Sequence, residues 1–278
     1  MSFGPLISAE ALGASTAPIR LLDARPGAED YATGHLAGAF QADLESHLSA
    51  AAGPGFDPAR GGRHPLPALA TWVAQLGAWS IGPATRVVAY DAASGGNAAC
   101  RLWWMLRAVG HEQVAVLDGG LQAAVAAGAT LTTAVPPPGA AAPYPCTAWQ
   151  RSTVGLAAVA RLLRDPGWKI LDVRSRERWR GDVEPLDPVP GRIPGTVNLP
   201  FTENLDAAGR FKAPAALRRL YLDLLAGTDP ERLVVHCGSG VTACHTLLAL
   251  DLAGLPGAAH YVGSYSEWCR SGEPLGRG

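Results

Sequence analysis

Charge is scarce in this chain. Only 17% of its 278 residues are Asp, Glu, Lys or Arg, and their formal balance is −1. Binding nucleic acid needs a clustered basic excess, so no nucleic-acid partner is expected. Long apolar runs are missing too. The stretch around Leu102–Val109 is interrupted by Arg101 and Arg107, and no segment reads as a membrane span. The opening MSFGPLISAEALGAS has no basic patch followed by an apolar core and predicts no secretory signal. Cysteine is sparse and unpatterned. Cys100, Cys146, Cys237, Cys244 and Cys269 are odd in number, widely spaced and form no C-x-x-C pair. That spacing argues against a zinc site or a disulfide framework and favours free thiols in a reducing compartment, here expected to be the cytoplasm. What is plentiful is apolar residue (48%), with Gly 33 and Pro 23. The chain can bury a sizeable core and turns often.

The sequence repeats itself. IRLLDARPGAEDYATGHLAGAF in the first half corresponds to WKILDVRSRERWRGDVEPLDPVPGRIPGTVNLPF in the second. Each copy ends an apolar run in Leu-Asp-x-Arg: Asp23 and Arg25, then Asp172 and Arg174. RVVAYDAASGGNAACRLWWMLRAVG then corresponds to RLVVHCGSGVTACHTLLALDLAG. Ala99 and Gly110 match Ala243 and Gly254 at an offset of 144, whereas Asp91 matches Cys237 at 146, so the first-half loop is two residues longer. The proline-rich stretch from Ala134 to Cys146 reads as a linker. The expected division is 1–136, a linker at 137–147, and 148–278.

Short β-branched runs alternate with helix-length segments. In the second half the runs are KILDV, TVNL, RLVVH and AAHYV, and the expected helices are Val154–Arg164, Ala215–Leu224 and Thr242–Ala253. This pattern predicts an α/β fold in which each half is a mainly parallel sheet with helices on both faces. In such sheets ligands bind beyond the carboxyl ends of the strands, which is where Cys237 falls.

Cys237 therefore becomes the candidate nucleophile. It sits between a buried strand and a helix start, followed by Gly238, Ser239 and Gly240. Glycines let the backbone curl until successive N–H groups converge, and the helix N-terminus adds partial positive charge. A sulfur held there is drawn toward thiolate. The alternative is a cysteine that merely closes a buried strand. The loop itself carries no charged side chain, so an anionic reactant needs a cation from elsewhere. Arg176, Arg178 and Arg180 in RERWRG are candidates, although a charge run is more often a solvated helix face. Cys244, two helical turns on, reads as buried and inert. His236 and His245 flank the loop but are expected to point away from the nucleophile. Asp23, Arg25, Asp172 and Arg174 recur in both halves, including the one without a cysteine, which suits an Asp–Arg pair pinning strand to loop.

At these residues the sequence resembles the tandem rhodanese family of sulfurtransferases. The likeness rests on LLDAR, GHLAG, the YD…RLWWMLRAVGH…VLDGG block, RIPGTVNLPF, and CGSGVTA at Cys237–Ala243. The last looks most like the loop of the 3-mercaptopyruvate sulfurtransferase branch. The resemblance implies two rhodanese-like domains, the first inactive with Asp91 at the nucleophile position. It implies a small anionic sulfur donor, a Cys237 persulfide, and a thiol, cyanide or thioredoxin-like acceptor, with no metal or organic cofactor. Gly238, Ser239, Gly240, Val241 and Thr242 would surround the donor. Arg178, in its Arg-aromatic-x-Gly pattern, would hold the anionic end, with Arg180 as a second choice. A second arginine usual after Glu-Pro is missing from Glu184-Pro185-Leu186-Asp187, and Arg192 is a possible substitute. His35, in GHLAG, would approach Ser239 as base or orienter, or else pack as a turn histidine; His64, in GGRHPLP, reads as structural. Thiosulfate is the alternative donor. A phosphatase of related fold would need an arginine where Ala243 stands, and a non-catalytic sulfur carrier or interaction module would not need the full set of cysteine, glycines and hydroxyls.

Overall fold

A computed structural model describes residues 3–96, 98–139 and 141–278. It divides into two compact units, neither continuous in sequence. The first comprises Met1–Ala50, Pro67–Gln150 and Ala207–Phe211; the second comprises Ala51–Leu66, Arg151–Asp206 and Lys212–Gly278.

The strands of the first unit are β1 (Leu6–Ile7), β2 (Ile19–Asp23), β3 (His35–Leu36), β4 (Phe40–Gln41), β5 (Arg86–Tyr90), β6 (Val114–Leu117) and β7 (Leu131–Thr132). Its helices are α1 (Ala9–Gly13), α2 (Ala28–Thr33), α3 (Leu69–Ala78), α4 (Ala99–Arg107) and α5 (Gly120–Ala126). The sheet runs β1-β6-β5-β2-β4 with every pairing parallel, and β3 pairs with β7 antiparallel in a separate ribbon. The second unit has β8 (Thr153–Val154), β9 (Lys169–Asp172), β10 (Val197–Asn198), β11 (Leu233–His236) and β12 (Ala259–Tyr261), with α6 (Leu156–Leu162), α7 (Arg176–Arg180), α8 (Pro214–Leu225), α9 (Ala243–Leu252) and α10 (Ser264–Trp268). Its sheet, β8-β12-β11-β9-β10, is parallel throughout and repeats the order of the first, strand for strand. The expected α/β architecture is present twice.

The sequence explains these elements. Parallel strands covered by helices need apolar side chains on both faces. Leu233–His236 is buried at every position, as is Val114–Leu117. Helix α9 is buried from Ala243 to Leu250, on every side rather than on one stripe, with the two polar residues of that stretch, His245 and Thr246, met by Asn204. The helix expected over Val154–Arg164 is shorter, Leu156–Leu162, and Val154, taken from sequence as helical, is not part of it. Val154 pairs with Tyr261 as strand β8, and Gly155 separates it from α6.

The stretch 137–147 is not a free linker. It belongs to the first unit, where the Gly139 N–H donates to Ala78 O at 2.7 Å and the Tyr144 N–H to Val73 O at 2.9 Å. Tyr144 is buried, its hydroxyl 3.2 Å from His111 Nδ1. Prolines lack N–H groups, but Gly139 and Tyr144 keep theirs, and both bond to carbonyls of α3. Ala140 lies outside the described residues.

Both copies of Leu-Asp-x-Arg form the same buried device. Arg174 Nε and Nη2 donate to the Asp172 carboxylate at 3.0 and 2.7 Å, and Nη2 reaches Gly191 O at 2.9 Å. In the first unit Arg25 holds Asp23 and Gly34 O in the same way, each at 2.6 Å from Nη2. The pair ties the carboxyl end of the second strand to the Gly-containing turn that follows, so its role is architectural. Burial pushes the Asp172 carboxyl up, but His236 together with the charge and hydrogen bonds of Arg174 outweighs it and holds it below the usual carboxylate range. Burial also pushes the neighbouring His236 imidazole down.

Replacing one member of a buried pair leaves the other charged and uncompensated, which costs about 3–5 kcal/mol. Asp172→Asn should lower the urea-unfolding free energy by an amount in that range. Because the folded carboxyl titrates below the unfolded one, its contribution is full above about pH 4 and is lost as pH falls toward the folded value. The decline in wild-type stability below about pH 4 should therefore be shallower in Asp172→Asn.

Candidate active site

Cys237 is the first residue beyond β11, at the carboxyl end of the central strand of the second sheet. Main-chain bonds to the turn around α10 fix its position. The Cys237 N–H donates to Ser264 Oγ at 3.2 Å, and that hydroxyl donates to Tyr261 O at 2.9 Å. Cys237 O accepts from the Tyr265 N–H at 3.1 Å, and Gly238 O from the Ser266 N–H at 2.8 Å. Gly240 has φ +77°, and a Cβ there would strike the carbonyl oxygen of Val262. Only glycine meets both constraints. The loop then turns back, and the Gly240 N–H donates to Cys237 Sγ at 3.2 Å. Val241 is buried, Thr242 half-buried, and α9 starts at Ala243. Cys237 is only 3% exposed, and in that enclosure an amide donor counts for more than it would in water.

The matching loop of the first unit shows what such a turn accepts. Asp91 follows β5, and its O accepts from the Leu121 N–H at 2.8 Å, as Cys237 O does from Tyr265. Among the described residues its carboxylate takes four backbone N–H groups: Ala93 at 2.8 Å and Gly95 at 2.9 Å on one oxygen, Ala98 at 3.2 Å and Ala99 at 3.1 Å on the other. Burial pushes this carboxyl up and the four amides oppose that shift. The turn is an anion nest filled by its own side chain.

Cations reach the Cys237 loop from elsewhere, as its neutral sequence requires. Ser175 caps α7 and Gly181 ends it. Arg178 projects from this turn, with Nη2 donating to Glu184 Oε1 at 2.7 Å and Nε to Oε2 at 3.2 Å. Its Nη2 lies 3.1 Å from the place a Cβ on Gly238 would occupy. Glu184 is almost wholly buried and also accepts from Arg174 Nη1 at 3.2 Å and from the N–H groups of Leu186 and Asp187. The other arginines proposed from sequence are placed differently. Arg176 pairs with Glu203 at 3.2 Å, and Arg180 is exposed. Arg192 does not substitute for the missing arginine: its Nη1 donates to Gly278 O at 2.7 Å and its guanidinium stacks over Trp179 at 4.4 Å.

A second guanidinium and a histidine come from GGRHPLP. Arg63 Nη2 is 3.3 Å from the same Cβ position on Gly238, and Arg63 pairs with the buried carboxylate of Asp187. His64 Nδ1 is 2.8 Å from Ser239 Oγ. The segment is seated by close backbone packing. The Gly61 N–H donates to Glu267 Oε1 at 2.9 Å, and a Cβ on Gly62 would strike the carbonyl oxygen of Gly263.

The partner of Ser239 is thus His64, and the relay expected from His35 is corrected. His35 is fully buried in the first unit, stacked on Tyr31, with Nδ1 2.9 Å from Tyr31 O and Nε2 3.2 Å from Ala134 O. Both ring nitrogens are committed to backbone carbonyls of that unit. His236 and His245 are buried and turned to other partners, Cys237 O and Asn204 respectively. Cys244 is fully buried, its thiol 3.5 Å from Gly240 O.

The chain is similar to known proteins. The rhodanese-like domain model matches residues 9–127 and again 156–271. A Pseudomonas aeruginosa protein named "Probable 3-mercaptopyruvate sulfurtransferase" is 42% identical over 280 residues, covering 96% of both chains. The human 3-mercaptopyruvate sulfurtransferase is 35% identical, covering 96% of this chain and 91% of its own. Among solved structures, the 3-mercaptopyruvate sulfurtransferase of Leishmania major superposes with a TM-score of 0.81 at 28% identity, over 96% of this chain and 74% of that one. With two matching domains, two sheets of one topology and relatives of 42% and 35% identity over nearly the whole chain, the chain belongs to the rhodanese-like family of sulfurtransferases.

Proposed function

We propose that the chain moves sulfur from 3-mercaptopyruvate to a thiol or cyanide acceptor through a persulfide on Cys237, in a reducing compartment such as the cytoplasm. The observation that carries this reading is the Gly240 amide donating to Cys237 Sγ at 3.2 Å, in a loop of the type that holds the Asp91 carboxylate in the first unit. A backbone donor aimed at sulfur can hydrogen-bond the negative charge that sulfur transfer places on Cys237 and on an added second sulfur.

In the first half-reaction the Cys237 thiolate attacks the donor sulfur. The new S–S bond forms as the donor's C–S bond breaks, and the electron pair passes to carbon as the enolate of pyruvate. The donor's thiol proton ends on that carbon, giving pyruvate and the anionic persulfide. The Ser239 hydroxyl, with His64 behind it, is placed to hydrogen-bond the donor carbonyl as it becomes enolate, and Arg178 to hold the carboxylate. In the second half-reaction cyanide takes the outer sulfur as thiocyanate, or a thiol takes it as a persulfide, and the thiolate returns. A thioredoxin-like dithiol fits the same step. The first unit supplies no nucleophile, since the Asp91 carboxylate occupies its own nest.

Thiosulfate is the second reading, favoured by Leu186 at the place of an expected arginine. Its two sulfurs are joined directly and it has no carbonyl for Ser239 to address. A comparison of kcat/KM for the two donors tests the choice: 3-mercaptopyruvate should be preferred. Ser239→Ala and His64→Asn should lower that kcat by about tenfold or more, in the range expected for a lost general acid–base partner, while changing thiosulfate turnover less. Equal losses on both donors would remove the carbonyl-directed role.

Cys237→Ser should abolish donor-dependent sulfur release. Mass spectrometry of donor-treated wild type should show one added sulfur, about 32 Da, that cyanide removes and that Cys237→Ser never acquires. A variant that retains turnover would refute the assignment.

A further inference from the structure

The missing arginine leaves a chemical gap that the second unit fills from a distant part of its sequence. Two guanidiniums converge on Gly238: Arg178, with Nη2 at 3.1 Å and Nη1 at 3.5 Å from the Cβ position, and Arg63, with Nη2 at 3.3 Å. Gly238 has no side chain, so the two forks face backbone rather than a neighbouring residue. Leu186, after Glu-Pro, is exposed. Resting on the sulfur-transfer reading above, we infer that Arg63 is the second anion-binding residue of this site, gripping the donor carboxylate jointly with Arg178, and that Asp187 is the positioning residue that holds Arg63 in place.

The charge arrangement supports this. Asp187 is buried and faces three guanidiniums: Arg63, Arg270 at 2.8 Å and Arg178 at 3.8 Å. Glu184 neutralises part of Arg178, and Arg174 is matched by Asp172. Beside the loop, three guanidiniums meet two carboxylates, and the excess is positive. Burial would push the Asp187 carboxyl up, but hydrogen bonds from Arg63 and Arg270 outweigh it and keep it below the usual carboxylate range. It therefore stays ionised at neutral pH and anchors both forks.

The reach also fits. In 3-mercaptopyruvate a methylene and a carbonyl carbon separate sulfur from carboxylate, a span comparable with the ~3.8 Å between adjacent Cα atoms. Sulfur presented to Cys237 puts the carboxylate beside Gly238. A carboxylate has lone pairs enough to accept from two arginine forks at once. Gly62 packs against Gly263 and His64 meets Ser239, so Arg63 is fixed on both sides along the chain. One short segment thus delivers a cation for the carboxylate and a histidine for the serine facing the carbonyl.

The test compares wild type, Arg63→Gln, Arg63→Lys and Arg178→Gln by two readouts. The first is alkylation of Cys237 by iodoacetate relative to iodoacetamide, which differ in one carboxylate and do not depend on sulfur transfer. The second is KM against kcat for 3-mercaptopyruvate with cyanide as acceptor. Loss of a charge-assisted hydrogen bond is worth about tenfold or more. Arg63→Gln should lower the iodoacetate-to-iodoacetamide ratio by about that factor and raise KM similarly, with a smaller change in kcat. Arg63→Lys, which keeps the charge but loses the fork, should fall between. If Arg63→Gln leaves both the ratio and KM within about twofold of wild type while Arg178→Gln shifts them, Arg63 is no part of the clamp. An equal loss with both alkylating reagents, together with a lowered thermal midpoint, would reduce Arg63 to a structural role and also overturn the inference. Should wild type transfer no sulfur, the functional reading fails, yet the alkylation ratio still decides whether Arg63 binds anions.

Discussion

The chemistry of this chain depends on backbone packed against backbone. The loop after β11 lies so close to the turn before α10 that neither Gly240 nor Gly62 has room for a methyl group: one would meet Val262 O, the other Gly263 O. These contacts to consecutive carbonyls fix two separate segments on one support. Gly240 aims its amide at the sulfur, and Gly62 delivers Arg63 and His64. Ser264, held at φ +53°, completes the support by bonding both the Cys237 N–H and Tyr261 O. A left-handed serine is strained, and such strain persists only where surrounding bonds over-determine it.

The two units answer the same electrostatic problem in opposite ways. A turn that gathers amide N–H groups needs something negative. In the first unit the Asp91 carboxylate accepts from four backbone N–H groups among the described residues, so the turn is satisfied from within. In the second, the shorter loop from Cys237 to Thr242 surrounds a side chain whose charge depends on its protonation and which can carry a further sulfur outward. The two loops therefore differ by one side chain and two residues of length. The Asp–Arg pins, the strand order and the carbonyl–amide link to α5 or α10 remain the same.

Those common features are what the amino-acid order discloses most readily. A repeat offset of 144 residues gives two copies of one fold, because strand runs and Leu-Asp-x-Arg are local patterns with local causes. The Cys-Gly-Ser-Gly turn is local as well, and so is Arg178 on its one-turn helix. The rest of the site is not local. Ser239 meets a histidine 175 residues earlier. His35 and His64 each sit in a Gly-containing segment of the first half, and nothing in their neighbours says which reaches the loop. The structure separates them by burial: His35 stacks on Tyr31 and is spent on two carbonyls, whereas His64 sits half-buried beside the serine. Arg192 misleads for a similar reason. Its place in the GRIPG turn is near the motif in sequence, yet the bridge between Arg192 and Gly276 draws it to the chain end and onto Trp179. The glycine pair before Arg63 was the usable signal, since adjacent glycines mark a place where backbone approaches something closely.

The buried acids explain how so much positive charge can stand beside an enclosed sulfur. Free guanidiniums at this density would repel one another and swing toward water, and each swing would forfeit the geometry a small donor needs. Glu184 and Asp187 prevent it by pairing from the side away from solvent, with Glu184 further fixed by two backbone N–H groups. Neutralisation is incomplete: two carboxylates serve Arg63, Arg178 and Arg270, while Arg174 is matched by Asp172. A carboxylate-bearing donor can supply the remaining negative charge. The arginines are thus held in place before binding, and the donor need not spend binding energy ordering them. The sulfur is fixed as well: backbone bonds at the Cys237 N–H and O hold the residue, and the Gly240 N–H meets its Sγ. Rigidity of the cations and seclusion of the nucleophile follow from one arrangement, and weakening the acids would loosen both.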